Sequence, residues 1–232
     1  MTRREELAVN LATVHQRIVA ACAEAGRDPA EVTLIVVTKF FPASDVRLLA
    51  ELGVTDVGEN RHQEAEAKAV ECADVPVRWH FIGGLQSNKA AAVASYADVV
   101  ESVDRTKLLD GLNKGAHDRR TPVECLIQVS LDPPDALGRS GADPVDVLEL
   151  ASHIEAAPHL TLRGVMGVAP LGGDPDEAFS RLAEVAAVVA DSYPAATWVS
   201  AGMSGDLEQA IRRGATHVRI GSAVLGERPA IK

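Results

Sequence analysis

Eight apolar, β-branched segments recur along the chain with helical stretches between them, and this alternation restricts the fold more than any other feature. The segments are Val32 to Thr38, Thr55 to Asn60, Val77 to Gly83, Val99 to Asp104, Val123 to Leu131, Leu162 to Pro170, Trp198 to Ser204 and His217 to Gly221. Helical patterns occupy Ala43 to Leu52, Gln63 to Ala73, Asn88 to Ala97, Arg105 to Ala116, Pro144 to Ala156, Pro175 to Asp191 and Asp206 to Arg213. Each ends near a glycine, a proline or a polar turn. A run as rich in β-branched residues as VTLIVVT reads as a strand buried on both faces, which is the mark of a parallel sheet. Eight such units in 232 residues predict a (β/α)8 TIM barrel, with an extra helix over Glu5 to Ala25 that covers the barrel from outside. An open doubly wound sheet is the alternative, but no GxGxxG follows the first strand, and Gly83-Gly84 and Gly172-Gly173 are too short for a dinucleotide fingerprint.

A chain that is 47% hydrophobic and 24% charged can bury one sizeable core, so residues 1–232 are expected to form a single domain. Its formal charge of -10 argues against general affinity for nucleic acid or for an anionic membrane, and leaves small molecules as the expected partners. Charged residues from Arg3 to Glu24 break up the N-terminal apolar pattern, so it lacks the core of a signal peptide, and no apolar run reaches transmembrane length. Cys22, Cys72 and Cys125 are odd in number and widely spaced, which suits reduced thiols in the cytoplasm. The histidines form no HxxxH, HxH or Cys/His cluster, so no metal site is expected.

In a barrel the carboxyl ends of the strands converge on one mouth, and chemistry belongs there. Lys39 ends the first apolar run and is followed by Phe40-Phe41-Pro42, where a central strand cannot continue. A lysine so placed either snorkels to solvent or, partly desolvated, loses its proton and attacks a carbonyl. Glu59 and Asn60 end the second run, Gly83 and Gly84 the third, and Asp104 the fourth. After the seventh comes Gly202-Met203-Ser204-Gly205-Asp206, and after the eighth Gly221-Ser222. Either loop alone is an ordinary glycine turn with a serine cap; paired on adjacent strands they also form the place where barrels hold phosphate. Arg219 interrupts a strand that should be buried, so its guanidinium needs a partner. That partner is either structural, such as Glu59 or Asp104, or a ligand's ring nitrogen. The longest irregular stretch, Asp132 to Asp143, holds Arg139, Ser140 and Gly141 as possible anion contacts. An amine, a phosphate cradle and an arginine across one mouth describe a pocket for pyridoxal 5'-phosphate.

At these residues the chain resembles the pyridoxal phosphate homeostasis proteins, relatives of the alanine racemase N-terminal barrel domain. The resemblance covers nearly the whole chain. It rests on TKFFP at Thr38 to Pro42, GENRHQE at Gly58 to Glu64, WHFIGGLQSNK at Trp79 to Lys89 and ESVDR at Glu101 to Arg105. It continues through LIQVSLD at Leu126 to Asp132, LRGVMGVAP at Leu162 to Pro170, GMSGDLEQAI at Gly202 to Ile211 and VRIGSAVLGER at Val218 to Arg228. It implies that Lys39 holds the cofactor as an aldimine with Asn60 beside it, that Ser204, Gly221 and Ser222 bind its phosphate, that Arg219 faces the pyridine nitrogen, and that Met203 packs in the same pocket. Two departures stand out: Arg61-His62 replaces an aromatic and an aliphatic residue, and Arg139 stands where a lysine is common.

The role implied is a carrier that buffers pyridoxal phosphate in vitamin B6 homeostasis, without efficient turnover. Apoenzymes that accept the cofactor and small amino acids are its further expected partners, and the chain is expected to be a monomer or a weak homo-oligomer. Racemisation needs an acid or base on each face of the substrate's α carbon. Tyr96 and Tyr193, the available tyrosines, fall late in predicted helices, and the chain ends at Lys232, just past the eighth strand. A racemase or another fold-type III pyridoxal phosphate enzyme is the alternative, and a cofactor-free barrel using Lys39 as an aldolase-type amine is a third.

Overall fold

The run Thr33–Val37 forms the first strand, β1, with Ile35, Val36 and Val37 buried as a two-faced strand requires. In the computed structural model, which describes residues 1–132 and 141–227, seven more strands follow. They are β2 Asp56–Glu59, β3 Arg78–Phe81, β4 Val99–Val103, β5 Val123–Gln128, β6 Leu160–Met166, β7 Trp198–Ser200 and β8 His217–Ile220. All pair in parallel in chain order, and β8 closes on β1 with Arg219 opposite Ile35. The expected (β/α)8 barrel is therefore the fold. The helices are α1 Arg3–Ala25, α2 Ala43–Glu51, α3 His62–Glu71, α4 Ala90–Tyr96, α5 Leu109–Ala116, α6 Val147–Glu155, α7 Pro175–Ser192, α8 Leu207–Arg212 and α9 Ser222–Leu225.

Most strands end before their apolar runs do, because the last residues of each run turn into the mouth. The segment after β8, expected as a loop, is the short helix α9, in which Val224 and Leu225 donate their N–H groups to Gly221 O. A capping box starts α1: Thr2 accepts from Glu5 N–H, and Glu5 accepts from Thr2 N–H. Arg17 then forks onto Glu208 at 2.7 and 2.9 Å, which ties α1 to α8 on the outside of the barrel.

Alternate strand residues point outward into the apolar layer beneath the helices. Val36, Val57, Val218 and Ile220 join Leu7, Leu11 and Leu49, while Val100, Ile127 and Val165 join Val93, Leu112 and Leu182. The residues between them point into the barrel, and many of these are polar. Glu101 of β4 hydrogen-bonds His80 of β3 and Ser200 of β7, a reach between non-adjacent strands that only the interior allows. Barrel interiors are usually filled by branched aliphatics. Here Asp56, His80, Glu101, Ser200, His217 and Arg219 are buried, and the apolar cluster of Val99, Leu126 and Met166 is small.

Candidate functional site

Immediately past β1 the backbone makes a sharp turn. Phe40 has φ 71°, and among the described residues no other non-glycine has positive φ. Such a conformation costs a bulky residue about 1–2 kcal/mol. The surroundings offset it. Phe40 N–H donates to Glu64 Oε1 at 2.6 Å, and Thr38 Oγ1 donates to Glu59 Oε1 at 2.6 Å. The buried ammonium of Lys68, on α3, donates to Thr38 O, Glu59 Oε1 and Glu64 Oε1 at 2.8, 2.7 and 2.9 Å. Burial raises the Glu59 carboxyl pKa against the pull of Lys68. Both neighbours of Lys39 are thus pinned to α3, which fixes where its backbone leaves the strand.

Lys39 opens onto a cleft of about 270 Å³ at the barrel mouth. Met203, Ser204, Arg219, Gly221 and Ser222, all expected at the site, line the same cleft. The loop after β7 is shaped by its own residues: Gly202 has φ 90°, and the buried Asp206 accepts Met203 N–H at 2.6 Å. Ser204 and Ser222 bring their hydroxyls to 3.5 Å of each other across the two loops. Beside them Gly205 faces open space, with nothing within 4 Å of where a Cβ would stand. Val37, Phe41 and Ile82 supply apolar wall, and among the described residues no carboxylate lines the cleft.

Arg219 has a structural partner, but neither Glu59 nor Asp104. Glu59 faces outward to Lys68, and Asp104 lies beyond the end of β4, paired with Arg105. The period of two along β4 instead turns Glu101 inward, 3.8 Å from Arg219. Arg219 also donates to Ser200 Oγ at 2.6 Å and Gly167 O at 2.9 Å, while lining the cleft floor. Burial opposes ionisation of Glu101, but His80, Arg219 and Ser200 together hold its carboxyl down at about 2. Burial also opposes charge on His80; hydrogen bonds to Asp56 at 2.9 Å and Glu101 at 2.8 Å outweigh it and raise the imidazole pKa. Both ring nitrogens of His80 thus face a carboxylate. With fewer compensating neighbours, His217 is pushed by burial to about 4.

Asn60 lines the adjoining cleft, of about 170 Å³, formed by the ends of β2 and β3. The Arg61 guanidinium, of this second cleft, lies over the ring of Phe40, of the first, 5.1 Å from its centroid. Arg139 and Ser140 lie outside the described residues. Reading the sequence missed Lys68, Glu64, Glu101 and Asp206 as supports of the site. The i, i+4 spacing of Glu64 and Lys68 was a weak local signal, but every solvated helix face offers such pairs.

Fold and site place the molecule in the class of alanine racemase N-terminal barrels, with a lysine after the first strand and small polar loops after the last two. The family model for the alanine racemase N-terminal domain matches residues 9–229. A pyridoxal phosphate homeostasis protein of Corynebacterium glutamicum is 44% identical over 92% of this chain and 98% of its own. One from Mycobacterium tuberculosis is 40% identical over 97% of this chain and 94% of its own. The solved structure of PipY from Synechococcus elongatus with PLP bound superposes with a TM-score of 0.80 at 32% identity, covering 95% of this chain and all of that one. The chain belongs to the pyridoxal phosphate homeostasis protein family.

Proposed function

We propose that this protein is a pyridoxal 5'-phosphate carrier of intracellular vitamin B6 homeostasis, one barrel domain that holds the cofactor as a Schiff base on Lys39. The observation that carries this reading is the convergence of Lys39, Ser204, Ser222 and Arg219 on a single cleft that no carboxylate of the described residues lines. The donor set fits the ligand. An amine stands at one side for the aldehyde, and two hydroxyls beside the open Gly205 stand at the other for the phosphate. Apolar side chains lie between them for the ring. Arg219 is always protonated, so it meets the ring nitrogen as a donor and leaves that nitrogen without a proton. Bound there, the cofactor supplies an aldehyde for amines and a weakened electron sink.

The protein's own groups hold and orient the ligand. Lys39 fixes the aldehyde end, Ser204, Gly221 and Ser222 fix the phosphate, Met203 covers one face, and Asn60 borders the ring from the β2 side. Carriage rather than turnover is supported by the positions of the tyrosines. Tyr193 caps α7, and Tyr96 closes α4 with its ring stacked on His62 at 6.0 Å and its hydroxyl pKa raised by burial; among the described residues that line the Lys39 cleft, neither tyrosine is found. In the described residues no helix is long and apolar enough to cross a membrane.

Purified protein mixed with pyridoxal phosphate should show the absorbance band of a protonated Schiff base, and Lys39→Ala should abolish it. A band that survives the substitution removes Lys39 from the reading. Steady racemisation of free amino acids would replace carriage by catalysis.

A further inference from the structure

The guanidinium of Arg3 joins segments that are far apart in the chain. It opens α1, where a cation is the wrong charge for the helix's own amino end, so its place has to be explained by what it reaches. Nε and Nη2 donate to the carboxylate of Asp45 on α2, the shortest contact being 2.7 Å. Nη2 also donates to Leu225 O at 3.0 Å, and Nη1 pairs with Glu6 at 3.1 Å. The same group lies over the Phe41 ring, 5.5 Å from its centroid. Asp45 is buried, and a buried carboxylate needs a cation, which Arg3 supplies.

Leu225 and Ser222 are the two ends of α9, and Gly226 N–H donates to Ser222 O at 2.9 Å, so both ends belong to one hydrogen-bonded turn. About two turns along α1 from Arg3, Asn10 Nδ2 donates to Val224 O at 2.9 Å. The last carbonyls of a helix lack partners within it, and here α1 satisfies two of them from outside the barrel. At the other end of the turn Gly221 and Ser222 line the Lys39 cleft, as do Phe41 and Gly226. A hold on Val224 O and Leu225 O therefore fixes where the Ser222 hydroxyl stands opposite Ser204. Charge supplies a separate reason. Glu6 approaches the rim of the cleft, its Oε1 lying 3.5 Å from where a Cβ would stand on Gly226. Unpaired, that carboxylate would repel a phosphate held within a Debye length of it, and Arg3 pairs it.

We propose that Arg3 is a positioning residue that gives the Lys39 cleft its preference for a phosphorylated ligand, by clasping the far end of α9 to α2 and by neutralising the acids beside it. The inference rests on the carrier reading, because it takes the phosphate to lie at Ser204, Gly221 and Ser222. It assigns the extra helix α1 a part in binding, although α1 lies outside the barrel.

The test compares pyridoxal phosphate with pyridoxal, which has the same ring and aldehyde and lacks the phosphate, by titrating the Schiff-base absorbance band in full-length protein. Arg3→Gln should bind pyridoxal phosphate about tenfold more weakly, as expected for one lost charge-assisted hydrogen bond, and pyridoxal within about twofold of wild type. Because Arg3→Gln strands the Asp45 carboxylate, the double variant Arg3→Gln, Asp45→Asn leaves no such charge behind. It should unfold in urea closer to wild type and keep the selective loss. Asn10→Ala, which frees Val224 O, should shift the preference in the same direction. Equal weakening of both ligands, or of neither, in variants that fold like wild type overturns the proposal. Inorganic phosphate, followed by the Ser222 amide resonance in protein free of pyridoxal phosphate, separates this inference from the Schiff base. A response that weakens about tenfold in Arg3→Gln keeps the clasp even if the band survives Lys39→Ala. An unchanged response with an intact lysine-dependent band defeats the clasp alone.

Discussion

Two lysines near the barrel mouth have opposite physics. Lys39 ends in a cleft, whereas Lys68 is buried with its ammonium spent on one carbonyl and two carboxylates. Removing one member of a buried charge network leaves the others desolvated and unpaired, a loss of about 3 kcal/mol or more. Lys68→Met should therefore lower the urea-unfolding free energy by about 3 kcal/mol, and Glu59→Gln added to it should recover part of that loss. It should also weaken pyridoxal phosphate binding, since Thr38 and Phe40 lose their anchor on either side of Lys39. If Lys68→Met unfolds like wild type, the pinning of that turn comes from elsewhere.

At the scale of an element, the loop from β7 to α8 is preshaped. Gly202 combines φ 90° with a crowded site, where an added Cβ would stand 2.6 Å from Ala210 Cβ. Gly53 has nearly the same dihedral, φ 89°, with nothing within 4 Å. The pair separates backbone strain from steric clash. Gly53→Ala should cost about 1 kcal/mol in thermal unfolding, and Gly202→Ala about 2–3 kcal/mol. Only Gly202→Ala should also weaken cofactor binding, because relief of the clash displaces Met203 and Ser204. Equal effects on binding would detach the loop's shape from the site.

Across the whole molecule, the charged interior couples stability to pH. His217 is held at about 4, below its ordinary 6.5, so between those values the unfolded chain binds a proton that the folded one refuses. Its contribution is complete above about pH 6.5 and is lost as pH falls through 4, by up to roughly 3 kcal/mol. Glu101, held at about 2, adds a loss at lower pH, as the solution falls from the ordinary carboxylate range through that value. His80 acts in the other direction: its raised pKa stabilises below about 6.5, and that contribution fades as pH rises through the folded value. Urea unfolding at pH 7.5 and 4.5 should show wild type weaker in acid, and His217→Asn should lose less over that interval. An unchanged interval would mean that His217 ionises freely in the folded barrel.

The barrel, Lys39 at a strand end and the two small-residue loops after β7 and β8 were legible in the sequence, since each depends on local patterning: an apolar run, a proline that stops it, glycines and serines where the chain turns. The partner of Arg219 was not legible. Glu101 and Ser200 meet across 99 residues, and only closure of the sheet brings β4 and β7 face to face around one interior. Lys68 and Glu64 read locally as a helix-surface pair, until α3 is laid against the end of β1 and they become the brace for Lys39. Sequence alone determined the kind of fold and the lysine that follows its first strand, because patterning is short-range. Tertiary structure alone decided which charges neutralise one another, because burial and pairing belong to residues far apart in the chain.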